Sequence, residues 1–482
     1  MVEYEPVIGM EVHVELQTKS KMFCGCKVDF GGDPNTRCCP VCLGLPGSLP
    51  VVNGRAVEFM TKAALALNCT IAPQFIFHRK NYYYPDLPKN YQISQYDNPL
   101  GSNGCVEIFA GGRHKKIAVR RVHMEEDTGK LLHVAGKKSY VDYNRSGVPL
   151  MEIVTMNPPP PGFDQIETAE EAREYLQRLR SILVYLGVSD CKMEEGSLRC
   201  EPNISIKPVG QVEFGTKTEI KNLNSFRAVF LGVQYEIERQ ERLLRAGDRV
   251  VQETRRWDDN RGVTAAMRSK EVEQEYRYFP EPDLVPMRLT QERIDDLRSQ
   301  LPELPLAKVA RFQEQYGLSE ADAGVLADSP ETADFFEDCA AGAPDPKVVC
   351  NWITGEYLRL LNSTGRTMAE SGLTASQVSE LLGLIDKGTI NRKTAKSVFD
   401  EMFQTGKTAA QIVAEKGLQQ VSDSSEIEVA VDRVLAANPG EIERFRNGEE
   451  KLMSFFVGQV MREMKGKANP EVVNSLLKGK LK

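Results

Sequence analysis

Four stretches of this 482-residue chain carry residue types able to do chemistry. In residues 8–16 (IGMEVHVEL), Met10, Val12, Val14 and Leu16 alternate with Glu11, His13 and Glu15. A period of two is that of a strand with one dry and one wet face. The wet face sets carboxylate, imidazole and carboxylate in line. Such a set could hold a metal ion, and the same alternation describes any half-exposed strand. The second stretch, His123-Met124-Glu125-Glu126-Asp127, closes an expected strand with three acids in a row. The third is Glu152, a lone acid between Leu150, Met151, Ile153 and Val154. A carboxylate in such a setting is costly unless it is paired or binds a metal, which favours a ligand role. In the fourth, Arg79, Lys80 and Lys89 are interleaved with Tyr82, Tyr83, Tyr84, Tyr91 and Tyr96. Cations among aromatic rings could hold phosphates and a stacked base, or form a packed loop with surface charges.

A separate cluster reads as a metal site. Cys24-x-Cys26 and Cys39-x-x-Cys42 lie in a Gly- and Pro-rich segment that cannot be helical. Two close pairs on turns suit four thiolates around tetrahedral zinc, with Cys38 as a spare neighbour. The segment offers no catalytic base, so a structural zinc is expected.

Alternating strands are expected to position these residues, around 106–109, 116–124, 141–154, 193–201 and 215–222. Helices are expected at 55–68, 165–186 and 225–246, the second stopped at Gly187 and the third at Gly247. A Pro-punctuated block, YFPEPDLVP at 278–286, marks a change of composition. Beyond about residue 290 the pattern is helical, with capping boxes at Ser319/Asp322, Thr374/Gln377 and Ser425/Glu428, and glycine stops at 388, 406, 417 and 466. The organisation expected is an α+β domain over 1–292, a helical domain over 293–405 and a helical tail over 406–482.

The chain is 41% hydrophobic with a net charge of −7, which excludes a globally basic nucleic-acid binder but not a local basic surface. The last 32 residues supply one: Lys451, Arg462, Lys465, Lys467, Lys478, Lys480 and Lys482 stand against Glu463 and Glu471. No apolar run is long enough to span a membrane and no secretory signal opens the chain, so a cytoplasmic location is expected. A Walker loop is missing: Gly406-Lys407-Thr408 resembles its end, but Glu401 stands where its first glycine belongs. No dinucleotide fingerprint, nucleophile elbow or zinc-protease helix is present.

The blocks IGMEVHVEL, KMFCGC with CPVCLGLPG, RKNYYYPDLPKNYQISQYD, RVHMEEDTGKLLH, VDYNRSGVPLMEIV, MEEGSLRCEPNIS, EIKNLNSF, YRYFPEPDLVP and FFVGQVMREMKGKANPEVVNSLLKG together resemble the GatB family over essentially the whole chain. GatB is one component of the glutamyl/aspartyl-tRNA amidotransferase, the GatCAB complex. The resemblance implies a cradle domain with an antiparallel sheet similar to glutamine synthetase and guanidino kinases, then a helical domain and a tail that touches tRNA. It implies ATP-dependent phosphorylation of the side-chain carboxylate on Glu-tRNA(Gln) or Asp-tRNA(Asn), followed by amidation with ammonia. The ammonia would come from the amidase (glutaminase) component of the complex, GatA, with a small third component, GatC, as the other partner. ATP, magnesium and structural zinc are the implied cofactors. Glu11, His13, Glu126 and Glu152 match the family's catalytic positions, with His13, Glu126 and Glu152 as magnesium ligands and Glu125 as the alternative to Glu126. Arg79 and Lys80 are assigned to phosphate contacts, with Arg199 and Lys217 behind them, and Cys24, Cys26, Cys39 and Cys42 to zinc. An imidazole ligand suits manganese or zinc better than magnesium.

Overall fold

The computed structural model describes residues 2–134, 138–269, 276–419, 424–464 and 468–481, and the chain divides into two compact units, Met1–Leu304 and Pro305–Lys482. The first is built on a nine-stranded sheet. Across it the strands run Val263–Ser269, Glu253–Asp258, Thr218–Lys221, Leu198–Pro208, Tyr4–Glu15, Pro149–Thr155, Arg113–Glu126, Gly101–Ala110 and Thr70–Ile71. Every neighbouring pair is antiparallel except Thr218–Lys221 with Glu253–Asp258.

The opening strand lies near the centre, with both of its edges paired and its even-numbered side chains from Ile8 to Val14 apolar and buried. Met10, Val12 and Val14 are fully buried, in one core with Met151, Ile153, Val122, Met124 and Ile204 of the flanking strands. Each such side chain stabilises the fold by roughly 1.5–3 kcal/mol. The same core takes in the helices Gly54–Ala66, Ala169–Tyr185 and Phe226–Arg245. Their starts are set by Asn53, Thr168 and Ser225, whose side chains accept the orphan N–H groups of the first turn. The second begins later than the expected 165 because Ile166 forms a bridge to Ile8. The strand expected from 193 begins only at Leu198, after a turn in which Gly196 takes a positive φ; the one expected from 215 begins at Thr218.

A three-stranded sheet of Phe279–Pro280, His78–Asn81 and Tyr91–Ser94 stands in the tyrosine-rich segment. No strand was expected there, because turn residues crowd the segment.

The second unit is helical, and its described residues hold two hydrophobic clusters. One runs from Val309 to Val413 around Phe312, Phe336, Tyr357 and Phe399; the other runs from Ile427 to Leu481 around Val431, Phe456 and Leu477. The division between them therefore falls after the helix Ala409–Lys416, whose Ile412 and Val413 are buried in the first cluster, rather than at 405/406. Gly406 ends one helix in a left-handed conformation and Thr408 opens the next with a capping box, so this glycine marks a turn inside a core. The helix Gln291–Ser299, placed beyond the 292 boundary, packs Ile294 and Leu297 on Leu65 in the first unit. The capping box at Thr374 forms; Ser319 caps its helix through the Asp322 N–H, while Ser425 lies inside the helix Ser424–Ala437. Of the basic tail residues, Lys465, Lys467 and Lys482 lie outside the described residues, as does Gly466; Lys480 pairs with Glu428 and Asp432. No helix among the described residues is long and apolar enough to cross a membrane.

Candidate active site

The wet face of the sheet is the floor of a cleft of about 970 Å³. Antiparallel register sets Arg199, His13, Glu152 and His123 side by side on four successive strands. One step along the strands, the same face carries Glu201, Glu11, Val154 and Arg121; one step the other way, it carries Glu15, Leu150 and Glu125. These residues share a face because side chains two apart on a strand point the same way.

Four of them converge. His13 Nε2 lies 3.6 Å from Glu125 Oε1 and 3.7 Å from Glu152 Oε2, and His123 Nε2 lies 3.0 Å from Glu152 Oε2 and 3.9 Å from Glu125 Oε2. One ligand atom from each of His13, Glu125 and Glu152 falls within 4.8 Å of the others. Two carboxylates and an imidazole on a cleft floor fit a divalent cation, and the mixed nitrogen and oxygen set admits manganese as readily as magnesium. Burial works against the charge of Glu152, but His123, His13 and Lys80 outweigh it and hold its carboxyl below the ordinary range. Glu11 moves the other way: burial, then the nearby charges of Glu152, Glu201 and Glu219, push it up. Lys80 enters the cleft from the small sheet, its Nζ 4.8 Å from the Tyr276 ring centre and 5.8 Å from that of Tyr82. Burial opposes its charge, yet Glu125 and other neighbours keep it a firm cation.

Not every expected residue joins this group. Glu126 is turned to the back of the strand, where Lys89 Nζ donates to its two oxygens at 2.5 and 2.6 Å and Ile93 N–H at 2.9 Å. Glu125 occupies the place expected for Glu126. Arg79 likewise faces away from Lys80: its guanidinium grips Glu281 through Nε at 2.7 Å and Nη2 at 2.9 Å, reaches Asp283 at 3.2 Å, and lies over Tyr91. A guanidinium already in a bidentate pair is a poor phosphate contact. Both displacements have one cause, since adjacent residues on a strand point to opposite faces. Arg199 lines the cleft but is engaged by Asp127 and lies 3.6 Å from Glu15. Lys217 lines a neighbouring cavity of about 280 Å³ that shares Glu11, Arg120 and Val154 with the cleft. His123, Arg121, Tyr276, Tyr278 and Lys221 were not expected in the site. Parity on each strand was the available signal for His123 and Arg121, which stand two and four residues before Glu125.

The cysteine segment forms a second centre. The sulfurs of Cys24, Cys26, Cys39 and Cys42 all lie within 4.8 Å of one another; those of Cys39 and Cys42 are 3.9 Å apart. Four thiolates 2.3 Å from a tetrahedral zinc would stand about 3.8 Å apart, so the donor set fits. Cys38 is outside the group. Lys21, fully buried, brings its Nζ to 3.7 Å from Cys42 Sγ and 3.2 Å from the Tyr143 carbonyl. The hydrogen bond with Cys24 lowers the Cys42 thiol and, against burial, the Cys39 N–H and Lys21 add to the effect; Cys24 is pushed up in return. Burial pushes the Cys26 thiol up as well, so Cys42 is the thiol that its neighbours favour as a thiolate before a metal binds.

Residues 6–295 match the GatB/GatE catalytic domain and residues 334–481 the GatB domain. Among curated relatives, the B component of the aspartyl/glutamyl-tRNA(Asn/Gln) amidotransferase of Carboxydothermus hydrogenoformans is 55% identical, over 100% of this chain and 99% of its own. Proteins of the same name from Thermoanaerobacter sp. (strain X514) and Geobacter sulfurreducens are 54% and 52% identical, each over 100% of both chains. With both domains matched and relatives this close from end to end, the chain belongs to the GatB family.

Proposed function

We propose that the chain is the GatB component of a tRNA-dependent amidotransferase and carries its kinase and transamidase site in the cleft. The observation that carries this reading is the convergence of His13, Glu125 and Glu152 beside Lys80 on the cleft floor. The substrates are Glu-tRNA(Gln), Asp-tRNA(Asn) or both, ATP, and ammonia from the glutaminase partner GatA. The small partner GatC completes the complex, which works in the cytoplasm.

A carboxylate is a poor electrophile, so the reaction needs two steps. The side-chain oxygen first attacks the γ-phosphorus of ATP and ADP leaves; ammonia then attacks the acyl carbon, phosphate leaves, and a proton is lost from nitrogen. A divalent cation, when bound, neutralises phosphate charge and aligns the attacking oxygen. His13, Glu125 and Glu152 would hold that ion, and His123 fixes Glu152 from the side. Lys80 supplies a cation against the phosphates. Glu11, which lines the cleft and whose proton affinity is raised by burial and by neighbouring acids, is read as the group that takes the proton from the attacking nitrogen. Zinc held by Cys24, Cys26, Cys39 and Cys42 is structural.

The test is ADP formation with and without charged tRNA. ATP turnover is expected only with Glu-tRNA(Gln) or Asp-tRNA(Asn) present, and amide product only when the glutaminase partner or ammonium is added. Turnover that ignores the tRNA would overturn the reading. The tail helices around Val431, Phe456 and Leu477 form their own hydrophobic cluster and are read as a tRNA-binding element. Truncation after Leu418, where the first helical cluster ends, is expected to weaken tRNA affinity. It should also flatten the salt dependence of binding by about one unit of slope for each phosphate no longer neutralised. A salt titration of the truncated chain checks this.

A further inference from the structure

Between the cysteine loop and the cleft lies a buried ion pair that neither centre uses directly. Glu126 is gripped from two sides. On one, Lys89 bonds both of its oxygens, and the cysteine loop lies against the Lys89 stem at Gly44. A Cβ at Gly44, which has a φ of +68°, would sit 2.3 Å from Lys89 Cγ and 3.3 Å from Lys89 Cα. On the other side stands Gly147. Its carbonyl accepts from Met22 N–H at 2.8 Å, and its own N–H donates to the Asp127 carbonyl at 2.8 Å. A Cβ at Gly147 would lie 3.5 Å from Lys21 Cδ, 3.6 Å from Cys42 Cβ and 3.8 Å from Glu126 Oε2. The strand Tyr91–Ser94 completes the clamp. Gln92 Nε2 donates to the Glu126 carbonyl at 2.7 Å and Ile93 N–H to its carboxylate, while Ser94 Oγ lies 3.4 Å from Glu125 Oε2. Glu125, the next residue back along the chain, emerges on the cleft side, 3.6 Å from His13.

We propose that the cysteine loop positions the cleft's cation site, by way of Lys89 and Glu126, and that Lys89 is a positioning residue for Glu125. The proposal rests on the reading of His13, Glu125 and Glu152 as a cation site. Consecutive Cα atoms are held about 3.8 Å apart, so a shift of the Glu126 backbone moves Glu125 with it. Lys89 also cancels the charge of Glu126, leaving Glu125 and Glu152 as the acids a cation meets.

The experiment is Mn2+ binding to the full-length chain, read by the electron paramagnetic resonance of free Mn2+, with zinc content and melting followed in parallel. Gly44→Ala, whose added Cβ meets Lys89 first, and Lys89→Met are each expected to weaken Mn2+ binding about tenfold, as loss of an outer support does at metal sites. Wild-type Mn2+ affinity in either folded variant overturns the proposal, whether or not zinc is retained. If Lys89→Met fails to fold, Gly44→Ala decides alone. Glu152→Gln serves as the control: Mn2+ binding that survives it unchanged would remove the cation-site reading itself, a failure distinct from that of the coupling.

Discussion

Glu152→Gln is expected to lower tRNA-dependent ATP hydrolysis about 10²–10³-fold while the chain still folds and binds tRNA. Glu152 stands in the middle of the cross-strand row, with His13 on one side and His123 on the other. Glutamine keeps its volume but removes the charge that both imidazoles and Lys80 face. Losing one preorganised group that acts on the charge developing in the transition state costs about 10²–10³-fold in rate, or about 2.7–4 kcal/mol. The comparison that tests the geometry is Glu125→Gln against Glu126→Gln. The first removes a cleft carboxylate and should fall in the same class as Glu152→Gln. The second keeps an acceptor for Ile93 N–H on the back of the strand but removes the charge that faces Lys89, and should cost about tenfold, the lower end for loss of an outer support. Initial rates of ADP formation for the three variants check this. Full activity in Glu152→Gln, or a larger loss in Glu126→Gln than in Glu125→Gln, would sink the assignment.

That comparison also marks where the sequence stopped being informative. The alternation of residues 8–16 revealed which face of the opening strand is dry, and His13 and Glu152 lie together in the cleft. The cysteine spacing was as legible, because two close pairs on turns leave few other arrangements. The choice between Glu125 and Glu126 went the wrong way for the cation cluster, although His123 carried the answer: it shares parity with Glu125, and an imidazole at that position belongs to the polar face. Arg79 and Lys80 present the same difficulty, since turn residues concealed the strand His78–Asn81 and with it the rule that only one of the two can face the cleft. Which one does is settled by Glu281, 202 residues away in sequence, and no local pattern contains that. The helical boundary was misplaced for a different reason. A glycine stop looks alike whether it ends a domain or a turn within one, and only the burial of Ile412 and Val413 distinguishes them.

The second large effect concerns zinc. Cys24→Ser is expected to abolish zinc binding and to raise trypsin cleavage after Lys27 and Arg37 at least about tenfold, with little change in the melting of the sheet. Structural zinc is worth about 10–16 kcal/mol in small zinc-finger peptides, whereas this loop brings little apolar surface of its own. Residues 29–36 are exposed, and only Met22 and Phe23 at its root belong to the main core. Without the metal the segment keeps its hydrogen bonds to the 141–144 strip. Asn35 N–H donates to Asp142 Oδ1 and its amide to the Val141 carbonyl, while Tyr143 N–H donates to Asn35 Oδ1 and Arg37 N–H to Asn144 Oδ1. Most of these are solvent-exposed, and hydrogen bonds of this kind contribute about 0.5–1.5 kcal/mol each at best, so they do not replace the metal. The melting of the sheet is insulated because its core is supplied by the strands and by the helices Gly54–Ala66, Ala169–Tyr185 and Phe226–Arg245, none of which carries a zinc-loop cysteine. Metal analysis and timed proteolysis separate the two contributions. A zinc-free variant cleaved at the wild-type rate would mean that the Asn35 and Asn144 contacts, and not the four sulfurs, hold the loop in place.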